Sequence, residues 1–285
     1  MDWIFFTFLS VISRAIYGVM TKVLSNKAGN SIYTQSVLLP LCGGLLAILL
    51  SPLLGGFNLN INSNNLGLII LVVLSQGLGN VVYFAAIKNL TSGTAQISFS
   101  SILVFNTILS ILFLNLHLSF INGLGIIILM LAILLAVSGK IEFNKKGVGL
   151  MTLSAFLFSI FQLSTSRLSL QVSAATYLII AYFGATLVVF VVNAKTVIKD
   201  ISASTNKKNL FLIPFLTAIP SLGNFVFAYY AYRSAPEPAK VAMLLTSQVV
   251  FGVLLSYVFL KEKGYLFRKL LAAILVITAA VLIKS

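Results

Sequence analysis

The chain is a succession of long apolar stretches separated by short polar breaks. The stretches fall near residues 3–24, 32–53, 66–87, 93–114, 119–138, 147–167, 174–194, 210–231, 237–260 and 265–283. Each is continuous and about 20 residues long, the length an α-helix needs to cross the hydrocarbon layer, whereas barrel strands alternate apolar and polar over about ten residues. Ten membrane-spanning helices are therefore predicted. Breaks such as Asn115 to Leu118 and Leu168 to Ser173 are so short that consecutive helices must be antiparallel neighbours. The run from Trp3 has no basic segment before it and no small-residue cleavage site after it, so it reads as a first span, not a removable signal peptide.

The order of span, break and span repeats. The segment Asn80–Ala95 lies over Asn224–Ala239 at an offset of 144, as does Leu9-Ser10 over Leu153-Ser154, and Phe113-Leu114 lies over Phe259-Leu260 at an offset of 146. Identity is low, and chance likeness between apolar segments is the competing explanation. If the repeat is real, each half holds five helices. Five is odd, so the second half enters the membrane the opposite way round. That is an inverted repeat, an architecture that places a substrate site near the midplane between the halves.

Composition agrees with a membrane location. Of 285 residues, 59% are hydrophobic and 8% charged, with a mean hydropathy of +1.07, against roughly 25% charged residues in soluble domains. Ten spans leave no room for a separate soluble domain. The acidic residues are Asp2, Glu142, Asp200, Glu237 and Glu262, with one histidine, His117, and one cysteine, Cys42. A metal cage, a disulfide framework and a paired-carboxylate active site all lack their raw material. No catalytic residue, metal or cofactor is expected, and a membrane acyl or glycosyl transferase is disfavoured.

The net charge of +14 would suggest nucleic acid in a soluble protein, but these basic residues sit between apolar runs, and no nucleic-acid partner is expected. The connections after spans 1, 3, 5, 7 and 9 carry fourteen lysines and arginines, from Lys22 and Lys27 to Arg268 and Lys269. The other face carries four, Arg167, Arg233, Lys240 and Lys284. The positive-inside rule then places the fourteen in the cytoplasm and both termini outside, in a multi-pass protein of the plasma (inner) membrane.

The stretch Phe259-Leu-Lys-Glu262, continuing through Gly264 and Ala272 to Ile283, resembles the last-helix signature of the drug/metabolite transporter superfamily, EamA type. The run Ala228–Ala235, followed by Ala239, is similar to that family's eighth-to-ninth helix junction, and Lys22 matches a recurrent family lysine. The resemblance implies an all-α membrane protein of ten helices in two inverted five-helix repeats, here 1–139 and 140–285. Three positions depart from the pattern: Lys261 replaces a glycine, Leu116 stands where glutamate is common, and Arg14 lies near a usually aromatic position. Members commonly have cytoplasmic termini, whereas the charge count of this chain points the other way, and the expectation follows the count.

Arg14 is the most informative residue. It lies about 16 Å into the first span at 1.5 Å per residue, where an arginine costs at least about 2.5–3.5 kcal/mol. No carboxylate lies inside a predicted span to neutralise it, apart from Glu237 at the very start of the ninth. Its planar fork suits a substrate carboxylate or phosphate, the alternative being backbone carbonyls or snorkelling. The candidate substrate-binding set is Arg14, Tyr17, Lys22, Asn80, Tyr83, Asn106, Gln162, Asn224, Tyr229 and Gln248. Lys22 can also snorkel to the interface. The amides, with Gln76, must face other helices or water, as cavity lining or as interhelical glue. Pro214 and Pro220 can bend the eighth span, as a gate or as a static kink. His117 reads as a solvated loop residue and Cys42 as an apolar filler.

The expected function is secondary transport of a small organic metabolite, anionic or zwitterionic, by alternating access. Facilitated diffusion or exchange suits a chain without intramembrane carboxylates better than proton coupling. Multidrug or cation export is the alternative, and a non-transporting scaffold or receptor the reading from another class. The expected partners are the substrate and the lipid bilayer, with the protein a monomer or a homodimer.

Overall fold

The computed structural model describes residues 3–27, 31–58, 63–114, 119–137, 144–168, 171–235, 241, 244–245, 247–262 and 264–284. Helices account for nearly all of them, and no strand occurs among them. In chain order they are α1 (Trp3–Lys27), α2 (Ile32–Leu49), α3 (Ser63–Ile87), α4 (Ser92–Phe99), α5 (Ile102–Leu114), α6 (Phe120–Val137), α7 (Lys145–Leu168), α8 (Ala174–Ala203), α9 (Lys207–Ser234), α10 (Gln248–Leu260) and α11 (Leu266–Lys284). Eight stretches, α4 and α5 counting as one, are long and apolar enough to cross a membrane, and α6 and α10 are shorter apolar helices. Large apolar side chains point outward all round, with Phe120 83% and Phe267 82% exposed. Such a surface belongs in lipid, and the chain is a multi-pass membrane protein. The Asn115 to Leu118 connection, with Leu116 and His117, lies outside the described residues, as do Asp2, Glu142, Glu237 and Lys240.

Local chemistry sets the helix starts. The second helix of each half opens on the same Ser-x-x-Thr cap: Ser31 Oγ accepts the Thr34 N–H in α2, and Ser173 Oγ accepts the Thr176 N–H in α8. Four predicted spans differ from the structure. The second, expected to reach residue 53, stops at Leu49, because Pro52 enters a short 3₁₀ turn, Ser51–Leu54. The seventh, expected to end at 194, kinks at Asn193 (φ −123°, ψ 21°) and runs on to Ala203. The fourth is not continuous: it breaks between α4 and α5, where the Ser101 N–H reaches back only three residues to the Ser98 carbonyl and the Val104 N–H to that of Ser101. The ninth does the same 146 residues later, with Ser247 N–H to Leu244 and Val250 N–H to Ser247. Serine hydroxyls compete with the ladder at both sites, Ser100 bonding the Gln96 carbonyl and Ser247 that of Leu244.

Packing follows a pseudo-two-fold axis. Helix α1 lies on α9 as α3 lies on α7; α2 meets α9 as α3 meets α8; α1 meets α10 as α5 meets α7. The pairs α2 with α8 and α6 with α11 map onto themselves. Single contacts repeat as well. Ser10 Oγ donates to the Asn224 carbonyl at 3.0 Å, and Ser154 Oγ to the Gly79 carbonyl at 3.0 Å, so the Leu-Ser pairs noticed in the sequence make matched bonds.

The lysine-rich end is laced across the halves. Lys261 ends α10 in the left-handed region (φ 55°), a conformation glycine adopts without strain. The turn aims the Glu262 carboxylate at the start of α4, where it accepts the Ser92 N–H at 2.8 Å and the Gly93 N–H at 3.3 Å. Asp200 does the same for α2, accepting the Ser31 N–H at 2.9 Å and the Thr34 hydroxyl at 2.6 Å. Both carboxylates thus sit at positive helix ends.

A candidate substrate cavity between the halves

Helices α1, α2 and α3 of the first half and α7, α8 and α9 of the second enclose one cavity. Its first-half wall is Arg14, Tyr17, Leu39, Pro40, Gln76, Asn80 and Tyr83; its second-half wall is Phe158, Tyr182, Ser221 and Phe225. It holds about 400 Å³ of empty space, part of it open to the outside, and the interior is of water-sized rather than metabolite-sized width. Arg14 and Phe158 are 144 residues apart and both line it, so the pseudo-axis passes through the cavity.

Arg14 is half-buried. Its guanidinium carbon lies 5.0 Å from the Tyr17 ring centre and 5.2 Å from that of Phe99, so two aromatic faces support the cation in place of water. Further rings form a chain around the space: Tyr83 meets Phe99 edge-on at 5.9 Å, Phe99 meets Phe158 at 5.6 Å, and Phe225 meets Tyr182 at 5.9 Å. Tyr182 is oriented by a 3.0 Å hydrogen bond between its hydroxyl and that of Ser221. It approaches α2 closely enough that a Cβ on Gly43 would come within 2.7 Å of the ring, so only glycine seats it there. Among the described lining residues Arg14 is the one cation, and no carboxylate or histidine is present. No cluster of metal-ligating side chains occurs among the described residues.

Four candidates from the sequence meet here: Arg14, Tyr17, Asn80 and Tyr83, together with Gln76. The others lie elsewhere. Lys22 donates to the Ile87 carbonyl at 2.7 Å, capping the C-terminal end of α3 at the lysine-rich end. Asn106 and Gln162 satisfy each other, Nδ2 to Oε1 at 2.7 Å, between α5 and α7. Asn224 Oδ1 accepts from Ser10 Oγ at 3.0 Å. Tyr229 packs edge-on against Tyr230 at 5.6 Å. Gln248 opens α10 without reaching the cavity lining. Asn106, Gln162 and Asn224 do not line the cavity, and their polar ends are met by neighbouring helices. Pro214 and Pro220 lie within the uninterrupted α9.

The sequence reading passed over Leu39, Pro40, Phe158, Tyr182, Ser221 and Phe225. Phe158 was recoverable as the repeat partner of Arg14. The other five look like ordinary span residues.

A family model for the EamA-like transporter family matches residues 1–138 and again 145–285. No curated protein matches the chain. A solved crystal structure superposes on 96% of this chain and 95% of its own with a TM-score of 0.66 at 12% identity, a likeness that shows the fold alone. With both halves matched, and with ten apolar spans arranged about a pseudo-two-fold axis, the chain belongs to the EamA-like transporter family.

Proposed function

We propose that the protein is a secondary transporter for a small organic metabolite that is anionic or zwitterionic, working by alternating access. The observation that carries the charge assignment is Arg14: a guanidinium on the cavity wall, backed by two aromatic rings, with no carboxylate among the lining residues to neutralise it. A half-buried cation without a counter-ion on the cavity wall favours a ligand that brings one, and the fork of arginine binds carboxylate or phosphate through paired hydrogen bonds. The narrow cavity widens when one set of helices rocks against the other about the pseudo-axis. Without a titratable carboxylate or histidine on the lining, exchange or facilitated diffusion fits better than proton coupling. Following the charge bias, the lysine-rich end faces the cytoplasm and both termini the outside.

Purified protein in liposomes, loaded with unlabelled and supplied with labelled amino acids, nucleotides, sugar phosphates and organic cations, tests this. Counterflow of an anionic or zwitterionic compound that falls about tenfold or more in Arg14→Ala is expected. The ring-lined wall favours a second reading, export of organic cations. Counterflow of cations alone, unchanged in Arg14→Ala, would establish that reading in place of the first.

A further inference from the structure

We propose that Gln76 restricts the cavity to carboxylate ligands that carry a hydrogen-bond donor of their own, as α-amino acids do. This inference rests on Arg14 as the anchor of the anion. Gln76 lies on α3 one helical turn before Asn80 and two before Tyr83, so all three share the face turned to the cavity. It is 3% exposed, and its Oε1 has no hydrogen-bond partner among the described residues. Gln35 on α2, 1% exposed, also has an amide without a partner among the described residues, but it does not line the cavity, whereas Gln76 does.

Arg14 only donates hydrogen bonds, so it grips any carboxylate or phosphate without regard to the rest of the molecule. An amide oxygen only accepts. A ligand that offers an N–H or O–H completes it, whereas one that offers a methylene keeps it buried and unpaired, and polar sites reject such analogues far more strongly than apolar pockets reject size variants. The acceptor is also one-sided. The repeat partner of Gln76, at the offset of 144, is Pro220, which has no polar side-chain atom. The ligand therefore binds in one orientation about the pseudo-axis.

The experiment compares two matched pairs by calorimetry on the full-length protein in lipid nanodiscs: L-leucine against isocaproate, and L-phenylalanine against hydrocinnamate. The second member of each pair lacks only the ammonium group. Wild type is expected to bind at least one of the two amino acids about tenfold or more tightly than its deaminated acid. Gln76→Leu should erase that preference by weakening the amino acid while leaving the acid unchanged, and Arg14→Ala should weaken both members. Equal binding of both members by wild type, with both lost in Arg14→Ala, overturns the role of Gln76 and leaves that of Arg14 standing. A preference that survives in Gln76→Leu has the same meaning. Binding of neither member of either pair, or binding untouched by Arg14→Ala, overturns the anion reading and this inference with it. Equal binding of both members by wild type overturns the role of Gln76 even if the Gln76→Leu variant does not fold, and Gln76→Met then serves as the second variant in which the preference should vanish.

Discussion

Asn80 and Asn224 occupy the same place in the two halves, 144 residues apart, each on a helix that packs against the first helix of the other half. Their surroundings differ by one residue of register. Ser10 Oγ reaches both the main-chain carbonyl and the side-chain Oδ1 of Asn224, each at 3.0 Å. Its counterpart Ser154 Oγ bonds the Gly79 carbonyl instead, and the Asn80 amide stays on the cavity wall. Arg14 and Phe158 show the same divergence, a cation and a ring at equivalent positions across the cavity. Gene-level repetition supplied a symmetric frame, and substitutions within it left polar groups unsatisfied on the first-half wall and satisfied on the second. Unsatisfied groups are what a ligand can bind; satisfied ones hold helices together.

The strongest test of this contrast exchanges the two sides of the cavity. Arg14→Ala should lower substrate transport by about tenfold to a hundredfold, the range for losing a charged hydrogen-bond partner, while Phe158→Ala, which removes a ring but no charge, should cost less than tenfold in a liposome counterflow assay. Next come the asparagines, whose effects should cross. Asn224→Ala is expected to lower stability by about 0.6–1.7 kcal/mol, the span measured for interhelical hydrogen bonds in membrane proteins, with substrate affinity unchanged. Asn80→Ala should weaken the substrate about threefold to tenfold and leave the unfolding temperature where it was. Ligand titration and thermal melting of the same two samples check both, and parallel behaviour of the variants would erase the contrast.

The serines should behave alike: Ser10→Ala and Ser154→Ala each lose one hydroxyl donor that reaches a neighbouring helix, shared between two acceptors for Ser10 and aimed at one for Ser154, about 0.6 kcal/mol apiece, visible as similar small drops in melting temperature. Smallest of all, Asn106→Ala should leave counterflow within about twofold of wild type, since its amide serves Gln162 and not the cavity.

Much of this frame was legible in the chain. The apolar runs located every span, the Leu-Ser and asparagine matches located the repeat, and Arg14 stood out because a cation at mid-span is costly. Boundaries went astray where polar side chains reshape a helix without ending it. Asn193 looked like the end of the seventh span and is a kink; the serines near Ser101 and Ser247 looked internal and break their helices. Of the amides, the sequence alone could not separate Gln76 and Asn80 from Asn106, Gln162 and Asn224, because all are polar residues in apolar surroundings.

From its sequence alone this protein is a ten-span, inverted-repeat membrane protein with one cation at mid-span, because hydropathy, length and charge are summed along the chain and need no partner. Which face of each helix meets lipid and which meets the cavity was decided only in the folded bundle. In water an amphipathic stripe would have revealed it. Inside a bilayer both the lipid and the neighbouring helices are apolar, so the stripe is lost, and the placement of Tyr182, Ser221 and Gln76 on one cavity follows from how α2, α3, α8 and α9 cross.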